Sequence, residues 1–375
     1  MEALDCVGSH FEMGRVQGEQ RRAELASLDK PLMEFAGLQS TSRLRAVGPS
    51  LASAVGRVGM RFLGPDLRAH YPAQYDRLRG IAEGAGIGVH RLFLGPSLEI
   101  ALNRSVYTMP PAGACTAVAV TGCRSDIGEP MIVKNFDYPR AGLDTYLVRR
   151  SRPAGGFASL DVTNSPLCGS HEGINERGLA IAYNYGHFRG RPGARVSITT
   201  LVQETLERCA TVNEAVSHIR ERPRTGGALL MLADAGGNLA SLELAPDLVA
   251  VRRGDCLSHT NHALTREMAP RDVPRNAVFP SWWRPRVSRG VRVHESSERR
   301  KERAVELLSR GAVSEHDLVG LAADHGGTQT GDDNTICRHG PYYETTCSLL
   351  MLPRRRVMKL RFGAPCEGEY TELTV

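Results

Sequence analysis

Lysine is scarce in this chain. Of its 47 basic side chains only Lys30, Lys134, Lys301 and Lys359 are lysine, and the rest are arginine. With abundant Ala, Gly and Val, that bias points to a GC-rich coding background rather than to a polyanionic partner. A net charge of +6 over 375 residues is weak grounds for nucleic-acid binding, and the clusters Arg299-Arg300 and Arg354-Arg355-Arg356 lack interleaved aromatics. No apolar run approaches the length needed to span a bilayer. The segment Met1 to Cys6 has neither the basic cluster nor the apolar stretch of a secretory leader. The expectation is therefore a soluble, cytoplasmic protein with no membrane partner. None of the nine cysteines forms a C-x-x-C pair, so a zinc ribbon and a thioredoxin-type motif are excluded. An odd number of thiols fits a reducing compartment, where most serve as small buried hydrophobes. No G-x-S-x-G elbow, P-loop or H-E-x-x-H motif is present, and no internal repeat or low-complexity segment.

What is there divides by texture. Apolar content of 41% is ample for a core. Residues 1–100 read mostly as helix: an amphipathic run to about Phe35, then Leu67, Tyr71 and Leu78 on one face. Ile81-Ala82-Glu83-Gly84-Ala85-Gly86-Ile87-Gly88 closes a helix in a glycine-rich turn. Its glycines follow a helical pattern, not a strand, so a dinucleotide fingerprint is not expected. From Cys115 onward short strands alternate with turns. Predicted strands cover Thr145 to Val148, Gly178 to Asn184, Ala228 to Ala233, Leu239 to Leu244, Cys347 to Leu352 and Val357 to Phe362. Asp234-Ala235-Gly236-Gly237-Asn238 reads as a hairpin turn. Between these lie a helix buried through Val202, Leu206 and Cys209, and another opened by the capping-box pattern Thr211-Val212-Asn213-Glu214. A charged helix is predicted from Glu298 to Leu308, and an irregular stretch from Pro280 to Pro285. Antiparallel hairpins flanked by helices favour a layered α+β fold.

One cysteine stands out. Cys115 opens the alternating run Thr116-Ala117-Val118-Ala119-Val120. A turn spans Gly122 to Pro130, and Met131-Ile132-Val133 then leads into Lys134-Asn135-Phe136-Asp137-Tyr138. A nucleophile opening one strand, across from a carboxylate closing the next, is a way to build a catalytic site on a hairpin. A cysteine paired with one of His171, His259, His262 or His325 is the competing arrangement, and it would need no chain cleavage. The spacing His259-x-x-His262 invites zinc, but no third ligand is near in sequence and no helix is clear there, so no metal is expected.

These pieces resemble, in order and spacing, the Ntn hydrolases of the acyl-CoA:6-aminopenicillanic-acid acyltransferase family (peptidase family C45), relatives of the choloylglycine hydrolases. The matching segments are Gly8-Ser9-His10 to Gly18-Glu19, Ile81 to Gly84, Ala114 to Ala117, Asn135-Phe136-Asp137, Gly173 to Asn184, Ala233 to Gly237, His259-Thr260-Asn261-His262, Ser297 to Arg303 and Ile336 to His339. The resemblance implies a four-layer αββα fold of two packed, mostly antiparallel sheets covered by helices. It implies self-cleavage between Ala114 and Cys115, giving residues 1–114 as a mostly helical α chain and 115–375 as the catalytic β chain of one folded unit. The mature chain would act on a linear amide C–N bond of a small N-acyl metabolite or natural product through a Cys115 thioester. The freed α-amine near pKa ~8 and the thiol near ~8.5 form a matched pair for proton transfer. Asp137 would hold the new ammonium and Asn184 would donate to the oxyanion. Asn261 would be a second polar clamp and Arg300 the active-site arginine. Thr116, Asn135 and Tyr183 are assigned to substrate contact. The family usually has glycine where this chain has Ala114. No cofactor is expected beyond acyl-CoA as a candidate donor substrate. Partners are a small-molecule amide or acyl donor and an amine acceptor; nucleic acid is not expected, and self-association is left open. The alternative is an unprocessed, catalytically silent scaffold or binding protein with the same fold.

Overall fold

The computed structural model describes residues 2–28, 42–97, 114–138, 145–280, 289–309, 311–340 and 343–375, except for the side chains of 42–49. Gly113, Phe35 and the stretch 281–288 with both tryptophans lie outside the described residues. The chain begins with a strand, β1 (Leu4–Gly8), and four helices: α1 (His10–Gln20), α2 (Arg22–Ala26), α3 (Ser42–His70) and α4 (Pro72–Ala85). Strands β2 (Ala114–Val120), β3 (Met131–Tyr138), β4 (Tyr146–Pro153), β5 (Ser159–Asn164), β6 (Glu172–Asn175) and β7 (Ala180–Gly186) follow. After α5 (Ile198–Arg208) and α6 (Val212–Glu221) come β8 (Gly227–Ala233), β9 (Leu239–Ala245), β10 (Leu248–Arg252) and β11 (Cys256–His259). The C-terminal part holds α7 (Glu295–Leu307), α8 (Glu315–Ala322), β12 (Glu344–Leu352), β13 (Val357–Phe362) and β14 (Thr371–Thr374).

The strands form two sheets, ordered β1-β4-β5-β6-β7-β8-β9-β10 and β11-β2-β3-β12-β13-β14. Every pairing is antiparallel except β1 with β4. Side-chain alternation along the strands sorts the core into layers. Ile181, Tyr183, Leu230 and Leu242 face the helices of the larger sheet, where they meet Leu67, Leu78, Leu201 and Ile219. Val148, Ala180 and Met231 face the other sheet and pack on Ala117, Phe136 and Leu349. Val118, Val133 and Leu350 point outward onto Ala304 and Leu318 of α7 and α8. The order helix, sheet, sheet, helix is the four-layer αββα fold. With both faces covered, β7, β8 and β9 are buried throughout, which is why they read as near-continuous apolar runs.

The first hundred residues are not wholly helical. β1 is a short edge strand that pairs with β4, some 145 positions away, and no local periodicity announces it. The glycine-rich turn ends α4 with Gly86 in the left-handed conformation, φ 70°. The other glycines of that region serve packing. A Cβ on Gly14 or Gly18 of α1 would lie 2.0 or 2.2 Å from the carbonyl oxygens of Arg77 and Ile81 in α4. A Cβ on Gly80 or Gly84 would lie 2.0 or 2.1 Å from those of Phe11 and Arg15. Two small-x-x-x-small faces thus let the helix backbones touch. At α6 the capping box is only half formed: Thr211 Oγ1 accepts from the Glu214 N–H, while the Glu214 carboxylate takes the Ala210 N–H instead.

Candidate active site

The β2–β3 hairpin sets Ala114 opposite Asp137 and Cys115 opposite Phe136. Cys115 is 1% exposed and its side chain joins the core between the sheets. Beside it, β11 pairs with β2 only as far as His259 with Ala117. Beyond that point the ladder stops and a side chain takes its place: Asn261 Oδ1 accepts the Cys115 backbone N–H at 3.0 Å. The Cys115 carbonyl accepts from Arg300 Nη1 at 2.6 Å. The Cys115 sulfur receives the backbone N–H of Tyr185.

Arg300 and Ser297 stand three residues apart on α7 and share one face. This helix begins at Glu295, earlier than expected, which puts both residues inside it. Arg300 donates to Thr116 Oγ1 at 2.8 Å and, through Nη2, to Asn261 Oδ1 at 3.0 Å. Ser297 Oγ accepts the Asn261 N–H at 2.8 Å and lies 2.7 Å from His262 Nδ1. Asn261 Nδ2 donates to the Tyr185 carbonyl at 2.9 Å. Asn261 therefore ties β2, α7 and the end of β7 together.

Asp137 is arranged differently from the sequence expectation. Alternation places it on the outer face of its sheet, opposite to the Cys115 side chain, and Asn261 is the acceptor at the Cys115 nitrogen. Asp137 accepts from Thr345 Oγ1 at 2.8 Å and lies 3.9 and 3.8 Å from the guanidiniums of Arg300 and Arg338. Its Oδ2 is buried without a hydrogen-bond partner. Burial raises its pKa, and the two arginines pull against that rise. Arg300 links it to the Cys115 carbonyl, and its own charge raises the Cys115 thiol.

Four further residues of the expected set have partners within the protein. The Asn184 side chain donates to the carbonyls of His259 and Thr260 at 3.4 and 3.0 Å. It props the segment that carries Asn261, and the donor at the sulfur is the next residue's backbone N–H. Asn135 gives both amide protons to the carbonyls of Ala322 and Ile336 and accepts from Ser348 Oγ. Its hydrogen-bonding capacity is met inside the protein. Thr116 meets Arg300, on the outer face. Tyr183 belongs to the core under the helices, on the face of β7 away from Asn184.

Residues beyond the expected set complete the surroundings. Lys134 is 1% exposed, on the same face of β3 as Phe136, forms an ion pair with Glu172 and lies 4.2 Å from the centroid of the Phe136 ring. Burial pushes its pKa down to about 8. Burial raises the Cys115 thiol, and Lys134 is the leading influence that lowers it. A lysine directly after the apolar run Met131-Ile132-Val133 was a legible signal; Arg338 was visible only as part of the matching segment Ile336 to His339, and Tyr185, acting through its backbone, gave none. No imidazole is hydrogen-bonded to Cys115 among the described residues. His171 packs against the rings of Phe136 and Tyr183, and His259 Nδ1 meets Ser241 Oγ at 3.0 Å. Burial pushes both imidazoles down to about 3, so they are neutral. His259 and His262 turn to different serines, which does not make a metal pair.

Several solved structures are similar to this chain at low identity. An ortholog of N-acylethanolamine-hydrolyzing acid amidase from Caenorhabditis elegans is 15% identical, with 64% of this chain and 93% of that chain covered at a TM-score of 0.41. Penicillin V acylase from Agrobacterium tumefaciens is 16% identical, with coverages of 66% and 82% and a TM-score of 0.38. A mutant conjugated bile acid hydrolase from Clostridium perfringens is 14% identical, with coverages of 70% and 97% and a TM-score of 0.39. The model of the acyl-coenzyme A:6-aminopenicillanic acid acyl-transferases matches residues 123–366, starting just past Cys115 and taking in Asp137, Asn261 and Arg300. With well over half of its length matched, the chain belongs to the acyl-coenzyme A:6-aminopenicillanic acid acyl-transferase family.

Proposed function

We propose that this enzyme works through an N-terminal cysteine. Cys115 frees its own amino group by cleaving the Ala114–Cys115 bond. It then carries the acyl part of a small, linear N-acyl amide as a thioester and passes it to water or to an amine. The observation that carries this reading is the treatment of a single residue. In a buried place the nitrogen, the carbonyl oxygen and the sulfur of Cys115 each meet a polar group from a different element. A cysteine kept only for packing needs no such surroundings.

In the precursor the thiol attacks the Ala114 carbonyl. The C–N bond breaks, the nitrogen takes the thiol proton, and water hydrolyses the resulting thioester to leave an Ala114 carboxylate and a free Cys115 amine. Alanine at 114 is compatible with this geometry, because among the described residues only Arg356 is a non-glycine with positive φ. In the mature chain the amine, resting on Asn261 Oδ1, takes the thiol proton, and Lys134 supplies countercharge to the thiolate. The thiolate attacks the amide carbonyl and the amine leaves with the proton. The Tyr185 N–H is a fixed donor beside the sulfur for developing negative charge. Asp137 orients Arg300, which in turn holds the Cys115 carbonyl. An acyl-CoA would serve the same thiol as donor.

The arginine clusters lend no support to a nucleic-acid scaffold. Arg299 pairs with Glu295, and Arg354, Arg355 and Arg356 bond to Ala235, Glu129, Glu315 and Glu176. The test is to incubate the purified protein with N-acyl amines and acyl-CoA thioesters and measure intact mass. The expected result is an acyl adduct on the Cys115 fragment, discharged by hydroxylamine and absent in Cys115→Ala. Turnover retained in Cys115→Ala refutes the assignment.

A further inference from the structure

We propose that His325, Cys337, His339 and Cys366 form a closed structural zinc site that pins the loop carrying Arg338 against the sheet. One ligand atom from each of the four residues lies within 4.8 Å of all the others. The two sulfurs are 3.6 Å apart. His339 Nε2 is 3.4 Å from Cys337 Sγ and 3.2 Å from Cys366 Sγ. A tetrahedral zinc with Zn–S near 2.3 Å and Zn–N near 2.0–2.1 Å requires S···S edges of roughly 3.7 Å and S···N edges of roughly 3.5–3.6 Å. These three edges fall short of the requirement by at most about 0.4 Å, and the edges to His325 are no longer than 4.8 Å, so rotamer-scale shifts of the four ligands admit the ion.

His325 supplies the independent indication. Its Nδ1 lies 3.2 Å from the Gln329 carbonyl. A carbonyl only accepts, so Nδ1 carries the proton and Nε2 holds the free lone pair. That Nε2 is buried without a hydrogen-bond partner. An imidazole whose far nitrogen is fixed on a backbone carbonyl is the usual arrangement of a metal-binding histidine. Two thiols and two imidazoles with no carboxylate suit zinc rather than a hard cation. Four protein ligands make a closed site, which stabilises rather than catalyses. The two thiol protons leave to solvent as the ion binds.

The position explains the use. Cys337 and His339 flank Arg338, whose guanidinium lies 3.8 Å from Asp137. The Arg338 N–H donates to Thr345 Oγ1, which itself donates to Asp137. The Ile336 carbonyl accepts from Asn135. His325 follows α8, and Cys366 sits in the short turn Pro365–Glu367, so the ion would join three separate segments. The ligand spacing, with intervals of eleven, one and twenty-six residues, matches no compact zinc motif, and the sequence expectation of no metal is revised accordingly.

The experiment is metal analysis of the protein purified under reducing conditions, followed by Co²⁺ titration of metal-stripped protein. One zinc per chain is expected, and a tetrahedral Co²⁺ spectrum with thiolate charge-transfer bands. Cys366→Ser and His339→Gln should each weaken Co²⁺ by more than the ~10–100-fold that loss of a ligand's own hydrogen-bond partner costs. Cys123→Ser, at an exposed cysteine outside the cluster, should change nothing. Cys115→Ala should bind the ion unchanged, which separates this site from the nucleophile. If the wild-type protein takes up neither Zn²⁺ nor Co²⁺, or yields a Cys337–Cys366 disulfide under these conditions, the proposal is wrong.

Discussion

Truncating Asn261 should show how much of the site rests on one side chain. Asn261→Ala removes the acceptor for the Cys115 N–H and for Arg300 Nη2, and the donor to the Tyr185 carbonyl. All three partners are buried, and each orphaned group costs about 1–3 kcal/mol, with the charged guanidinium at the upper end. Water entering the space left behind offsets part of this. The expected loss of stability is about 3–5 kcal/mol. It is measured by urea unfolding in a Cys115→Ala background, so that the chain stays in one piece and the peptide N–H is retained, and the slope with denaturant should not change. In the cleavage-competent chain, a positioning loss of about 3 kcal/mol corresponds to self-cleavage slowed by roughly 100-fold. Asn184→Ala, one step removed, should destabilise less and slow cleavage less. If Asn261→Ala costs under about 1 kcal/mol in the locked background, the claim that these bonds organise the site fails.

Further expectations concern other parts of the molecule. Gly80→Ala forces a Cβ to 2.0 Å from the Phe11 carbonyl oxygen, so α1 and α4 must part. Thermal or urea unfolding should show a loss above about 3 kcal/mol, whereas Gly320→Ala, with open space around it in α8, should gain up to about 1 kcal/mol. Lys134→Met should slow alkylation of Cys115 by about tenfold or more near neutral pH, because it removes the leading positive influence on the thiol; an unchanged rate refutes that role. Acid should weaken the fold early. Burial holds His171 and His259 down to about 3, and His187 and His262 down to about 4, while the unfolded imidazoles titrate near ~6.5. The unfolded state then binds more protons below that value, so stability is full above about 6.5 and falls as pH drops. At pH ~5.5 each imidazole costs up to about 1.4 kcal/mol, and urea midpoints that stay level from pH ~7.5 to ~5.5 contradict the burial argument.

The parts of the fold that were legible are those governed by local pattern. The β2–β3 hairpin followed from alternation after Cys115 and an apolar run before Asp137. The β8–β9 hairpin followed from its turn, where Gly237 takes φ 95°. Of α7's contribution, Arg300 fell inside the expected helix and Ser297 just before it, and their contacts with Cys115 and Asn261 were not visible. What stayed hidden depends on distance in the chain. β1 has no partner until β4 arrives. The Tyr185 N–H acts through the backbone, so its side-chain identity says nothing. Asn184, Asn135 and Thr116 have the right chemistry for a site, yet each is engaged by neighbouring backbone or by Arg300. The His325 to Cys366 cluster unites four residues that only the packing of three loops brings together.

The most direct measurement is the intact mass of the freshly purified protein, with sequencing of the fragment termini. Two tightly associated chains are expected, the second starting with Cys115 and bearing a free amine, and a single chain in Cys115→Ala. A wild-type protein that stays uncut yet turns over an amide contradicts the proposed mechanism.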